Sequence, residues 1–260
     1  MKKQLWNGFD LCEDSINIVI NALKNNKDNF KIVTKRKNIY LHKEKRLIYR
    51  HIHNSCLKDH ENFNDYLPLV SGIRRDIDKY IDNHKNVAEF PVNNNCVIQN
   101  INNYKNLKND SIFHEIDIKE AYFQVMHILG YITDKLYNKY SHFDQYKKGY
   151  IYGITWLQSD EIVSIYKKGK LVKEYNKFRP QYKVMFDNIR YFINDITDEA
   201  VKCCTPTGFL KKRVDAVYCD IESSEKICEF YKDHGIEVKI THLVKKDNTF
   251  CLKNGKGIRF

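Results

Sequence analysis

In the stretch His114-Glu-Ile-Asp-Ile-Lys-Glu-Ala-Tyr-Phe-Gln-Val-Met126 the hydrophobic period changes half-way. Up to Ile118 the side chains alternate. Phe113, Glu115 and Asp117 point one way, and Ile112, His114, Ile116 and Ile118 the other, as in a strand. Beyond Asp117, Ala121, Val125, Ile128 and Leu129 recur at helical spacing. The pattern predicts a strand over residues 112–118 and a helix over 119–130, with Gly130 placed to stop it. Asp117 is thereby left at a strand exit, where a carboxylate can meet a bound ion. The later run Lys211-Lys-Arg-Val-Asp-Ala-Val-Tyr-Cys-Asp220 offers a second carboxylate, Asp215, among β-favouring residues. Aspartate within a strand is disfavoured unless an exposed face or a metal ion compensates it.

Working outward, residues 180–200 predict a long helix opened by Pro180, with Met185, Ile189, Phe192, Ile193, Ile196 and Ala200 on its buried stripe. Residues 209–221 read as a strand or hairpin carrying Asp215. A helix over 223–234, capped by Ser223 or Ser224 and closed by Gly235, leads to a strand over 237–244 and a C-terminal hairpin with an Asn-Gly turn. Residues 161–175 form a further hairpin, and a helix begins at Thr133. In the first part of the chain, a helix over 9–25 precedes strands near 30–35, 38–42 and 46–52. Residues 62–84 read as a helix broken at Pro68 and Gly72. A strand over 96–101 and the polar run 102–110 follow, the latter marking the expected domain boundary. The expected class is α+β: an antiparallel, palm-like sheet backed by helices over residues 109–260, with an N-terminal α+β region over 1–108.

Forty-four Lys and Arg against 33 Asp and Glu leave a net charge of +11 in 260 residues. That favours a polyanionic partner, nucleic acid before membrane surface, although coding from AT-rich DNA also enriches Lys. The turns Lys35-Arg36-Lys37 and Lys43-Glu44-Lys45 read either as solvated loops or as a basic rim against a phosphate backbone. No apolar run approaches the ~20 residues of a membrane span, and the first residues lack a signal peptide's apolar core. The expectation is a cytoplasmic protein without a membrane partner. Eight cysteines without a Cys-x-x-Cys pair read as reduced thiols. His51, His53, Cys56 and His60 form the densest group of possible zinc ligands, but their spacing matches no common zinc module. No Walker loop, Gly-x-Gly-x-x-Gly, Gly-x-Ser-x-Gly or His-Glu-x-x-His occurs.

The order of the segments resembles the palm of family B DNA polymerases. That family's first motif, Asp-x-x-Ser-Leu-Tyr-Pro-Ser, is similar to Asp117-Ile-Lys-Glu-Ala-Tyr122-Phe-Gln, matching in the Asp and the Tyr. The third, Tyr-x-Asp-Thr-Asp-Ser, is similar to Lys211-Lys-Arg213-Val214-Asp215-Ala216, where Asp215 matches and Arg213 replaces the first Asp. The middle motif, Lys-x-x-x-Asn-Ser-x-Tyr-Gly, is similar to Gln145-Tyr-Lys-Lys-Gly-Tyr-Ile-Tyr152-Gly153, matching in Tyr152 and Gly153. The chain also resembles compact palm proteins of tailed phages, which carry Asp-x-x-x-Ala-Tyr followed by Leu-Gly-Tyr-Ile, as in Leu129–Ile132. Residues 1–110 leave no room for a proofreading exonuclease domain.

The resemblance implies a nucleotidyltransferase that uses two Mg²⁺ or Mn²⁺ ions held by Asp117 and Asp215 to add nucleotides to a 3′-hydroxyl. It implies primer-template DNA and a dNTP as partners, with location in the host cytoplasm for a phage-encoded protein. Tyr122 would floor the sugar pocket. Lys147 or Lys148, with Tyr152 and Gly153, would meet the nucleotide, and the basic run Lys211, Lys212 and Arg213 would contact nucleic acid. The alternatives are a palm-like nucleic-acid-binding or phage structural protein without catalysis, and a two-metal nuclease using the same carboxylates.

Overall fold

The structure, a computed structural model, describes residues 9–10, 13–35, 38–51, 63–84, 87–91, 97–141, 143–157, 161–177, 180–246, 249–252 and 257–258. His53, Cys56 and His60 lie outside the described residues, as does the side chain of His51. The elements in chain order are β1 (Phe9–Asp10), α1 (Glu13–Asn25), β2 (Phe30–Lys35), β3 (Asn38–Lys43), β4 (Arg46–His51) and α2 (Phe63–Asn83). Next come β5 (Ile98–Gln99), α3 (Ile101–Asn106), β6 (Ile112–Ile118), α4 (Ala121–Ile128), α5 (Asp134–Tyr140) and α6 (Lys147–Leu157). Then follow β7 (Glu161–Lys167), β8 (Lys170–Asn176), α7 (Pro180–Lys202), β9 (Phe209–Lys212), β10 (Ala216–Cys219), α8 (Ile221–Asp233), β11 (Val238–Lys246), β12 (Thr249–Leu252) and β13 (Gly257–Ile258). The protein is α+β, as its sequence predicts.

The chain divides into two compact units, residues 1–70 with 155–183 and residues 71–154 with 184–260. The sequence places the division at 108/109, because the polar run 102–110 reads as a linker. Instead that run carries α3, which is tied into the second unit. Asn100 caps its start, accepting from Asn103 N at 3.1 Å. Lys245 closes its end, its Nζ donating to Tyr104 O at 3.1 Å and Leu107 O at 2.5 Å.

The first unit holds the sheet β1-β4-β3-β2-β7-β8. Ile16, Ile20 and Leu23 on α1 cover Phe30 and Leu41, a stripe at helical spacing meeting an alternating strand face. The β7–β8 hairpin adds to β2 through a ladder from Phe30↔Tyr166 to Lys35↔Glu161, a long-range pairing that local pattern cannot reveal. Its turn is fixed by Gly169, at φ +72°, where an added Cβ would stand 2.2 Å from the backbone oxygen of Lys24. Gly169→Ala is expected to cost about 2 kcal/mol. A urea midpoint equal to wild type would contradict that packing.

The second unit is built on the sheet β13-β12-β11-β6-β10-β9-β5. Its centre, β11-β6-β10-β9, is antiparallel throughout. Read with the helices, the chain runs β6–α7–β9–β10–α8–β11, the order of a doubled split β-α-β motif. Helices α4, α5, α6 and the β7–β8 hairpin are inserted between β6 and α7. Residues opposite one another on neighbouring strands share a face, so Phe113, Glu115 and Asp117 lie with Tyr218, Ala216, Leu243, Thr241 and Lys239. The opposite face is backed by α7 and α8. Lys212 Nζ bonds Asn194 and Asp198 of α7, and His114 Nδ1 lies 2.8 Å from Ser224 Oγ of α8.

Helix α2 runs unbroken through Pro68, against the sequence expectation of a break. Proline removes one backbone donor there, but Tyr66, Leu69, Ile73, Ile77 and Ile81 continue one buried stripe across it. Gly72 serves close packing, since a Cβ there would meet Leu136 Cδ1 at 2.5 Å. Helix α8 is capped by Asp220, whose Oδ1 accepts from Ser223 N at 2.8 Å. Ser223 and Ser224, the expected caps, are buried inside the helix.

Candidate active site

Asp117 sits one residue from the end of β6, opposite Ala216 at the start of β10. Asp215 occupies the bend just before β10, and its carbonyl accepts from Ile118 N at 2.9 Å. Two carboxylates from separate elements are thus brought side by side at one end of the central strand pair. Both are partly buried.

Their electrostatics reflect that proximity. Burial, then the Asp215 charge, then Glu115 push the Asp117 carboxyl up to about 6, while Lys147 and Lys239 pull the other way. Asp215 is also raised, first by burial and further by Glu115. Its own backbone N–H, Arg213 and Lys147 oppose the rise. Lys147 is therefore the cation common to both carboxylates. It is exposed in the first turn of α6, where unpaired backbone N–H groups also favour negative charge.

Two participants escape motif reading. Glu115 lies two residues from Asp117 on the same strand face and accepts a hydrogen bond from Tyr218 Oη. The alternation of β6 predicts its direction but not its partner. Lys239 faces Asp117 directly across the β6–β11 ladder, a neighbour visible only once that pairing is known.

The other expected site residues divide. Tyr122 stands half-buried in the first turn of α4, its ring stacked at 5.8 Å on Phe186 of α7. The side chains of Lys148 and Tyr152 lie outside the described residues. Gly153 is buried against α2, where a Cβ would meet Ile73 Cδ1 at 2.5 Å; it packs helices rather than facing a nucleotide. Of the basic run, only Arg213 is exposed, its guanidinium 5.6 Å from the Tyr218 ring centroid. Lys211 is buried, and Lys212 is 0% exposed with its ammonium on Asn194 and Asp198. The expectation that Lys212 contacts nucleic acid is thus overturned. Alternation along β9 turns its side chain toward α7.

Among the described residues, no three His, Cys, Asp or Glu side chains converge as a ready-made ion cage. A divalent ion here would take Asp117 and Asp215 and complete its shell with water or substrate oxygens. That is the usual arrangement for Mg²⁺, which is held by one or two carboxylates and keeps several waters. The hard oxygen donors fit Mg²⁺ and Mn²⁺. No protein-family model, curated protein or solved structure matches the chain.

Proposed function

We propose that the protein is a nucleotidyltransferase of the family B palm type, adding nucleotides to the 3′-hydroxyl of a nucleic-acid strand. The observation that carries this reading is the pairing of Asp117 with Asp215 on adjacent elements, each held above its ordinary carboxylate range and both facing Lys147. In such a reaction the 3′-oxygen bonds to the α-phosphorus, the bond to pyrophosphate breaks, and the hydroxyl proton leaves to solvent. Bound between Asp117 and Asp215, Mg²⁺ or Mn²⁺ would supply Lewis-acid charge to the attacking and leaving oxygens.

The chain's own groups do the positioning. Lys147 carries positive charge toward the triphosphate and favours the ionised form of both carboxylates. Tyr218 fixes Glu115 by a hydrogen bond, so that Glu115 adds negative potential beside the pair. Tyr122, braced on Phe186, offers a flat ring to a sugar.

A second reading, a palm that binds nucleic acid without catalysis, is favoured by Arg213. Its guanidinium lies beside Asp215 and lowers that carboxyl's proton affinity, a service that a metal ion would otherwise perform. Primer extension with Mg²⁺ or Mn²⁺ and all four dNTPs separates the two. Elongated primer and released pyrophosphate are expected. Salt-sensitive DNA binding with neither product would favour the second reading, and DNA breakdown without added nucleotide would indicate a nuclease.

A further inference from the structure

We infer that one end of the sheet in the first unit is a binding surface for a nucleic-acid phosphate backbone, built from residues other than the carboxylate site. The strand registers bring its parts together. Phe30, the first residue of β2, lies opposite both Lys43 at the end of β3 and Tyr166 near the end of β7. The α1–β2 loop (26–29), the β3–β4 turn (44–45) and the β7–β8 turn (168–169) therefore emerge at the same end. They are far apart in sequence, each carries a lysine, and the residues flanking them add further cations.

Lys27, Lys45, Arg46, Lys167, Lys168 and Lys170 are exposed there. None of them has an ion-pair partner among the described residues. Lys43 is engaged by Asp28 at 3.1 Å, and Lys24 lies over the Tyr166 ring at 5.3 Å. Glu44 is the remaining acid of these turns. The backbones that carry these cations are joined. Gly169 N donates to Asp28 O at 2.9 Å, and Lys168 N to Asn29 Oδ1 at 2.9 Å, tying turn to loop.

The backbone adds an independent pointer. Glu44 and Lys45 have φ of 48° and 68°, and Lys168 and Gly169 have 49° and 72°. Positive φ at both central residues favours Asn-Gly in such hairpin turns. Lys27 is left-handed as well, at 55°. Lysine therefore occupies three positions where its Cβ is crowded and Asn or Gly would sit more easily.

Spacing and composition select the partner. The two hairpin turns are separated by three strand spacings, about 14 Å, or about four base-pair steps measured along the axis of B-form DNA. Residues 24–29, 44–46 and 167–170 contain no apolar side chain, whereas surfaces that insert into membranes pair their lysines with Trp, Phe or Leu. The lysine-rich turns favour a phosphodiester backbone; Leu171, exposed next to Lys170, is the apolar side chain that the vesicle arm of the test addresses.

The test uses the full chain with Lys45→Asn, Lys168→Asn and Lys170→Ser combined, because Asn suits the two left-handed positions. Fluorescence anisotropy with labelled duplex DNA over a salt series reads the number of phosphate contacts. Each contact contributes about 0.9 to the slope of log affinity against log salt. The triple variant is expected to lose about 2–3 from the slope and at least about tenfold in affinity at 100 mM salt. An unchanged slope and affinity would overturn the inference. So would intact DNA binding with lost binding to phosphatidylserine vesicles, which would assign the surface to a membrane. If the triple variant does not fold, Lys27→Ser with Arg46→Ser is expected to lose about 2 from the slope, and no loss overturns the inference equally. A negative result leaves the carboxylate reading intact, since binding and not nucleotide transfer is measured.

Discussion

Asp117→Asn is expected to abolish nucleotide transfer while making the protein more stable at neutral pH. The loss follows from removing one of two carboxylates that would hold the divalent ion, worth about 4 kcal/mol or roughly 10³-fold in rate. The gain follows from the same burial and repulsion that raise this carboxyl to about 6 from an ordinary 3.8. A raised acid binds its proton more tightly folded than unfolded. Its stabilising, protonated form is fully present below about pH 4 and is lost as pH rises to about 6. Above that the ionised group opposes folding. Replacing it with neutral Asn relieves about 1 kcal/mol at pH 7.5, after allowance for its solvent-facing part. The gain should vanish near pH 4. Paired urea titrations at the two pH values check the sign, and destabilisation at pH 7.5 would make Asp117 a structural residue.

Lys212→Met is expected to destabilise the protein by about 3 kcal/mol without altering the salt dependence of DNA binding. Lys212 is wholly buried, with Nζ 2.7 Å from Asn194 Oδ1 and 3.3 Å from Asn194 O, and paired with Asp198. Removing the ammonium takes the donor from the side-chain oxygen of buried Asn194 and the opposite charge from Asp198, which keeps Asn194 Nδ2 at 3.2 Å. A double-mutant cycle with Asp198→Asn should show coupling above about 1 kcal/mol. A stable Lys212→Met protein with weakened DNA binding would instead return this lysine to the nucleic-acid surface.

These two residues also mark where sequence is informative and where it stops. Asp117 was legible because β6 alternates cleanly and its last residues change to helical period. Both signals are local, and the strand was forced into the sheet by burial of Phe113, Ile116 and Ile118. Lys212 was misleading because a Lys-Lys-Arg run resembles a solvated patch. Its burial depends on which face of β9 meets α7, a tertiary fact. The same holds for Lys239, whose contact with Asp117 needs the β6–β11 register, and for the basic turns of the first unit. Pattern found the β7–β8 hairpin but could not reveal that it completes a sheet begun more than a hundred residues earlier. The polar run at 102–110 has the sequence of a linker because capping and tertiary contacts, not hydrophobic period, create α3.

The central claim is that Asp117 and Asp215 together hold divalent ions for nucleotide transfer. Mn²⁺ titration of the full chain followed by electron paramagnetic resonance, with a non-hydrolysable dNTP and primer-template present, tests it most directly. Mn²⁺ bound by wild type and lost in both Asp117→Asn and Asp215→Asn is the predicted result. Equal Mn²⁺ binding by all three proteins, or none by wild type, would contradict it.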